Sequence, residues 1–278
     1  MLGKLVKHEF KATYKMMGLF FGAVILMAIL TRMSCIIPDN VNVVLDMIKG
    51  LLMVFYVLVL VGSVFCTCIL LILRFYQNML QDQGYLTHTL PVKVWQQLVA
   101  KVFTYFVWIV ASFVVLVIAL TIFMLGNVVE VSDLAEFLGE VGVVLRDYPK
   151  IIPLWLIIVL MMLLQIITSI MNFIAAMSLG QLFGKHRVLG SVVSYIGMSY
   201  VINIISGVFM MVCMPWVVEQ SEKTAAELEL YSTVSQQISF TLDKLFPYCW
   251  LLVALQVVMI GIYFFISNFV LSRKLNLE

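Results

Sequence analysis

The residues that could do chemistry in this chain are few and widely separated. His8, His88 and His186 lie far apart in the sequence, and no H-E-x-x-H pair is present to bind zinc. The five cysteines show neither the C-x-x-C spacing of redox motifs nor the Cys/His spacing of zinc sites. The sequence therefore predicts neither a catalytic residue nor a metal site, and we expect the protein not to be an enzyme.

The segment Gly180–Lys185, GQLFGK, has some features of a phosphate-binding loop. That loop requires four residues between its glycines and a Ser or Thr after the lysine to hold magnesium. Here three residues separate the glycines, and His186 follows the lysine. The chain is not expected to bind ATP by this route.

The overall composition is that of an integral membrane protein. Of the 278 residues 63% are hydrophobic and only 12% are charged, and the mean hydropathy is +1.10. Soluble proteins carry about 45–50% apolar and about 25% charged residues. The net charge is only +2 and the basic residues form no dense patch, so nucleic-acid binding is not expected.

Six apolar runs are candidates for membrane-spanning helices. A helix needs about 20 apolar residues to cross a bilayer, and lipid offers the backbone no hydrogen-bonding partner. Four lysines recur every three or four residues within 1–15, which predicts an amphipathic surface helix before the first run, rather than a cleaved signal peptide. The predicted fold is an all-α polytopic membrane protein with one domain over 1–278 and spans at 16–37, 50–73, 102–126, 154–179, 192–214 and 246–271.

The loop charges predict which side of the membrane each loop occupies. With six spans, 11 of the 17 lysines and arginines fall on the side of the termini and 6 on the other. Basic loops stay in the cytoplasm, so both termini are expected there. The outer loops 127–153 and 215–245 are acidic, and we expect short helices at 133–145 and 219–231.

Two spans carry small and polar residues at helical spacing. Such a face usually packs one helix on another through interhelical hydrogen bonds. The alternative is a polar pathway or a seam between subunits. The residues of this packing or pathway set are Gln165, Ser169 and Asn172 in the fourth span and Asn203, Ser206 and Gly207 in the fifth.

The polar segment 84–93 lies between the second and third spans. Gly84 can end a helix, and Pro91 suits the first turn of the next one. Tyr85, Leu86 and Leu90 would be exposed apolar side chains in a polar loop, which suggests contact with a partner. The alternatives are an ordinary loop and contact with interfacial lipid.

Two stretches resemble the permeases of ABC-2 type exporters of Gram-positive bacteria. They are LVKHEFKAT at residues 5–13 and GYLTHTLPV at 84–92, the latter followed by QLVAK at 97–101. The resemblance implies that 1–15 is an elbow helix before the first span, and that a coupling helix between the second and third spans contacts a separate ATPase. The implied contact residues are Gly84, Tyr85, Leu86, Thr87, Thr89, Leu90, Pro91 and Lys93.

The resemblance leads us to expect the permease subunit of an ABC exporter in the bacterial plasma membrane. Its partners would be an ABC ATPase subunit, which binds ATP and magnesium, and a second permease, identical or homologous; this chain would hold no cofactor. The alternatives are a membrane sensor or immunity protein on the same scaffold and, third, a membrane enzyme. The apolar spans would suit peptides, lipids or drugs as substrates, and a disulfide among Cys35, Cys213 and Cys249 is left open.

Overall fold

The computed structural model describes residues 2–38, 42–80, 92–125, 131–228 and 234–273. Every regular element in this described part is helical. The helices are α1 (Leu2–Ile36), α2 (Val43–Leu80), α3 (Val94–Met124), α4 (Val131–Asp147), α5 (Ile151–Gly180), α6 (Arg187–Leu228) and α7 (Val234–Arg273), with a short 3-10 helix at Gln181–His186 between α5 and α6.

Six of these helices, all except α4, are long and apolar enough to cross a membrane. Their surfaces carry many exposed large apolar side chains, as is expected of helices that contact lipid. The protein is therefore an all-α, multi-pass membrane protein, as the hydropathy of the sequence predicted.

The first helix differs from the sequence-based expectation. Residues 2–36 form one helix without interruption, so the amphipathic segment 1–15 does not form a separate elbow element over its described residues. The physical reason is contact: Thr13 in this segment is buried and accepts a hydrogen bond from the Trp108 side chain of α3. The segment thus continues the first span along its neighbour.

The chain divides into two compact units, Met1–Leu138 and Gly139–Glu278. In the first unit α1 and α3 run parallel, because Thr13 contacts Trp108 and, further along both helices, Arg32 contacts Ile122. Helix α2 runs antiparallel to them, and the phenol of its Tyr56 donates to the Ala119 carbonyl at 3.0 Å.

In the second unit α5 is the central helix. Lys150, which caps the beginning of α5, pairs with Asp243, and Gln165 of α5 pairs with Gln256, so α5 and α7 run parallel. Helix α6 returns antiparallel along α5, with the ring of Tyr195 stacked on that of Phe173 at 4.5 Å between centroids. Helices α6 and α7 both pack extensively on α5 but touch each other little.

The two helices predicted in the outer loops agree with the structure to different degrees. The helix predicted at 133–145 is confirmed, since α4 covers Val131–Asp147. The one predicted at 219–231 is not separate: α6 continues from its span to Leu228, and residues 229–233 lie outside the described part. The helix continues although Pro215, a residue that usually ends or kinks a helix, lies inside it.

Candidate functional site

Most of the predicted coupling segment, residues 84–91, lies outside the described residues, so its contacts stay a prediction. Its last predicted member, Lys93, is exposed and adopts an extended backbone conformation as the cap of α3. Helix α3 begins at Val94, and the prediction that Pro91 begins a helix concerns a residue outside the described part. The segment therefore leads directly into α3, while α2 ends on the other side of it at Leu80.

The most unusual polar feature of the helices that precede and follow this segment in the sequence is a largely buried ion cluster formed by Glu9, Arg74 and Lys101. The Lys101 ammonium donates to Glu9 Oε1 at 2.6 Å, and the Lys101 residue is only 2% exposed. The Arg74 guanidinium donates through Nε to the other carboxylate oxygen at 3.4 Å. One carboxylate on α1 thus binds cations from the helices on both sides of the predicted coupling segment.

A second contact strengthens the attachment of α2 to α1. The Nη1 atom of Arg74 donates to the Ala12 carbonyl at 3.3 Å, one turn after Glu9. A guanidinium can serve several acceptors at once because its donors are arranged in a fixed fork. Arg74 therefore binds both a side-chain carboxylate and a backbone carbonyl of α1.

The side chains beside the cluster form a compact aromatic and polar layer. Trp108 Nε1 donates to Thr13 Oγ1 at 2.9 Å, and the Trp108 ring lies 5.7 Å from that of Phe10. Tyr105, one turn after Lys101, is only 3% exposed, and its hydroxyl has no hydrogen-bond partner among the described residues. These neighbours exclude water, which strengthens the ion pairs and makes an unpaired charge there costly.

The cluster holds two cations and one anion, which bind one another. In the sequence, Arg74 and Lys101 counted only among the 11 basic residues on the side of the termini, and no local pattern indicated this set. Glu9 was a detectable signal, as the only acidic residue among the four lysines of 1–15.

The polar face predicted on the fourth span lies on α5 and contacts both of its neighbours. Gln256 of α7 donates through Nε2 to Gln165 Oε1 at 3.1 Å. Asn172 donates through Nδ2 to Ser199 Oγ of α6 at 3.2 Å. Between them, Ser169 is exposed and donates only to the Gln165 carbonyl of its own helix.

In the fifth span, Asn203 and Gly207 do not pack against a neighbouring helix in the described part of this chain, while the pathway or subunit-seam alternative for this set stays a prediction. Asn203 and Gly207 are exposed on α6, and a Cβ at Gly207 would have no atom within 4 Å. Ser206 is only half-buried. Ser199 lies four residues before Asn203 on the same face of α6 and does contact Asn172 of α5, so the contact along this face ends before Asn203.

The close approach of α5 and α6 instead occurs at glycines beside the 3-10 helix. A Cβ at Gly180 would overlap Ser191 of α6, including its backbone. A Cβ at Gly190 would lie 2.7 Å from the Phe183 side chain. Glycine at 180 and 190 therefore makes the tight connection between the two spans possible.

Cysteines and candidate metal ligands add no further site in the described ranges. No group of three His, Cys, Asp or Glu residues among them is arranged to hold a metal ion. Cys35 and Cys249 are free thiols, and the side chain of Cys213 lies outside the described part.

No protein-family model, curated protein or solved structure matches this chain.

Proposed function

We propose that this chain is the permease subunit of an ATP-binding-cassette exporter, driven by a separate ATPase subunit. Six apolar helices provide the membrane part. ATP binding would close two partner ATPases, and their movement would displace the coupling segment 84–93. The spans attached to that segment would then move between inward-open and outward-open arrangements.

The observation that carries this proposal is the ion cluster joining the helices that precede and follow the segment in the sequence. Arg74 lies near the end of α2 and Lys101 near the beginning of α3, and both bind Glu9 of α1. A force on 84–93 would therefore act on three helices as a unit rather than bend one loop. An ordinary connecting loop does not need such ion pairs between the helices that it joins and a third helix.

The location of the protein forms part of the same proposal. The excess of basic residues on the side of the termini supports a cytoplasmic position for both ends and for segment 84–93. The membrane would be a bacterial plasma membrane. A second permease, identical or homologous, would complete the pathway, while ATP and magnesium would bind in the partner ATPase.

The decisive experiment is co-purification with the ATPase encoded by a neighbouring gene. The double variant Leu86→Asp, Leu90→Asp places two charges on the apolar side chains offered to that partner. We expect full membrane insertion but loss of ATPase co-purification and of permease-stimulated ATP hydrolysis. A matched control is Leu138→Asp, Val143→Asp on α4, where both side chains are exposed.

Each result separates the proposal from its alternatives. Normal co-purification of the Leu86, Leu90 variant would overturn the coupling assignment. Absence of any ATPase bound to the unaltered chain would favour a membrane sensor or immunity protein on the same scaffold. Equal loss of binding in the α4 control would show a general defect rather than a local contact.

A further inference from the structure

The first turns of α1 carry a row of lysines on the side that faces away from α2 and α3. Lys7 and Lys11 each lie two positions from Glu9, so at about 100° per residue they point about 160° away from it. Glu9 and Thr13 lie on the packed side, where they contact the two neighbouring helices. The lysine row comprises Lys4, Lys7, Lys11 and Lys15, all of which are exposed.

The positive charge of the lysine row is not neutralised by the described part of the chain. None of the four lysines forms an ion pair or a side-chain hydrogen bond with another described residue. Glu9, the only acidic residue of 1–15, is bound to Lys101 and Arg74 on the packed side. The row therefore presents four uncompensated charges along about 17 Å of helix, at about 1.5 Å per residue.

The lysine row ends where the lipid-facing surface of the first span begins. Leu19 lies one turn after Lys15 on the same side of α1 and is 73% exposed, and Leu26, two turns further on, is exposed as well. Tyr14, beside Lys15, is also exposed, and tyrosine is favoured at the boundary between membrane and water. Because an exposed apolar row requires lipid around it, the last lysines lie at the depth of the lipid headgroups.

The charges on this side of the membrane favour lipid as the occupant of the row. Lysines clustered directly before a membrane span attract anionic lipids, and each one adds to the attraction. A second copy of the chain would bring two rows of like charge together. It would also offer few acidic partners, because with six spans only 3 of the 15 acidic residues fall on this side, namely Glu9, Asp82 and Glu278.

We infer that the lysine row binds the phosphate groups of anionic phospholipids in the leaflet on the side of the termini. The contacts of Glu9 and Thr13 fix the rotation of α1 about its axis, so the lysines are held toward the lipid. Their aliphatic stems can lie along apolar surface while the ammonium groups reach the headgroups. The inference is independent of the exporter function, because this binding requires no ATPase.

The test uses the purified full chain in a non-ionic detergent, titrated with phosphatidylglycerol. Native mass spectrometry gives the dissociation constant for each lipid that binds. Phosphatidylcholine, whose headgroup has no net charge, is the comparison lipid, and glycerol 3-phosphate presents the phosphate without acyl chains. A phosphatidylglycerol with a diazirine beside its headgroup then locates the bound lipid by crosslinking.

We expect phosphatidylglycerol to bind more tightly than either comparison molecule and to crosslink to residues 4–19. Lys15→Gln should weaken its binding about fivefold, and Lys11→Gln, Lys15→Gln about 25-fold, since each lysine contributes separately. At about 1 M salt these differences should disappear, because the Debye length falls to about 3 Å. The double variant removes only two of the 11 basic residues on this side, so the topology should be kept.

The matched control is Arg146→Gln on α4, which removes an exposed cation outside the lysine row and should leave the dissociation constant unchanged. An equal loss in Arg146→Gln and Lys15→Gln, or crosslinks only outside α1, would overturn the location of the site. Equal affinity for the two lipids would overturn the inference and leave the lysines to orient the chain in the membrane. Glycerol 3-phosphate binding as tightly as the lipid would overturn it in favour of a soluble anion.

Discussion

A single carboxylate balances the buried charge at one end of the first unit. Glu9 accepts from Lys101 at 2.6 Å and from Arg74 at 3.4 Å. Lys101 is almost fully buried, so its ammonium depends on this partner in place of water. Removing one member of a buried pair is costly because the remaining charge has no compensation.

We therefore predict that Glu9→Gln lowers the free energy of unfolding by about 3–5 kcal/mol. Thermal unfolding of the purified protein in detergent measures the effect. The control is Asp243→Asn, which removes the partner of Lys150 in a pair whose side chains are 46% and 52% exposed. An exposed pair contributes about 0–1 kcal/mol, so similar losses in both variants would contradict the buried-cluster interpretation.

Replacing both members of the buried pair tests the same cluster in another way. In the double variant Glu9→Gln, Lys101→Met, the uncompensated ammonium is gone, and we expect most of the lost stability to return. A double-mutant cycle on thermal unfolding gives the coupling energy. Additive losses would show that the two side chains act independently.

At the scale of elements, the connection between α5 and α6 depends on two glycines. The backbone at Gly180 lies against Ser191, and Gly190 lies against the ring of Phe183. No flexible side-chain end can move aside at Gly180, because two of the atoms that a Cβ would meet belong to the Ser191 backbone. These close contacts therefore restrict the conformation of the 3-10 helix that connects α5 and α6.

We predict that Gly180→Ala destabilises the protein by about 1–3 kcal/mol, the usual cost of overpacking. The matched control is Gly197→Ala on α6, where a Cβ has open space around it. The measurement is the yield of monodisperse protein after mild heating in detergent. Equal yields for the two variants would refute the close-approach argument.

The elements were far more predictable from sequence than their contacts. Each span could be found because hydropathy is a local property of about 20 residues. How far the contact between two helices extends depends on their tertiary arrangement, and so Asn203 and Gly207 were predicted to pack although they lie beyond the contact at Ser199 and are exposed. The Glu9–Lys101 pair joins residues 92 positions apart, a pairing that no local pattern could indicate.

At the scale of the whole molecule, the distribution of basic residues predicts six spans with both ends in the cytoplasm. In a cysteine-free background, a membrane-impermeant thiol reagent should label Glu140→Cys and Ala225→Cys from outside intact cells. It should not label His88→Cys or His186→Cys until the cells are opened. Outside labelling at position 88 would refute both the topology and the coupling assignment.

The parallel pair of α1 and α3 is joined by charged contacts near both of its ends. Glu9 binds Lys101 at one end, and at the other Arg32 Nη1 donates to the Ile122 carbonyl at 3.0 Å. The rise from Glu9 to Arg32 along one helix is about 35 Å at about 1.5 Å per residue. The hydrocarbon core of a bilayer is about 30 Å thick, close to this distance, so we expect the two contacts to lie near its edges.

Because of this spacing, we expect the stability of the α1–α3 pair to depend on the thickness of the bilayer. A thinner bilayer would expose apolar surface between the two contacts, and a thicker one would draw charged groups into hydrocarbon, each with a penalty that grows with mismatch. We expect thermal stability in nanodiscs to peak for lipids with about 18-carbon chains and to fall for 14- and 22-carbon chains. In Glu9→Gln, thermal stability should depend less on the lipid chain length, because the ionic contact that fixes α1 against α3 at one end is lost.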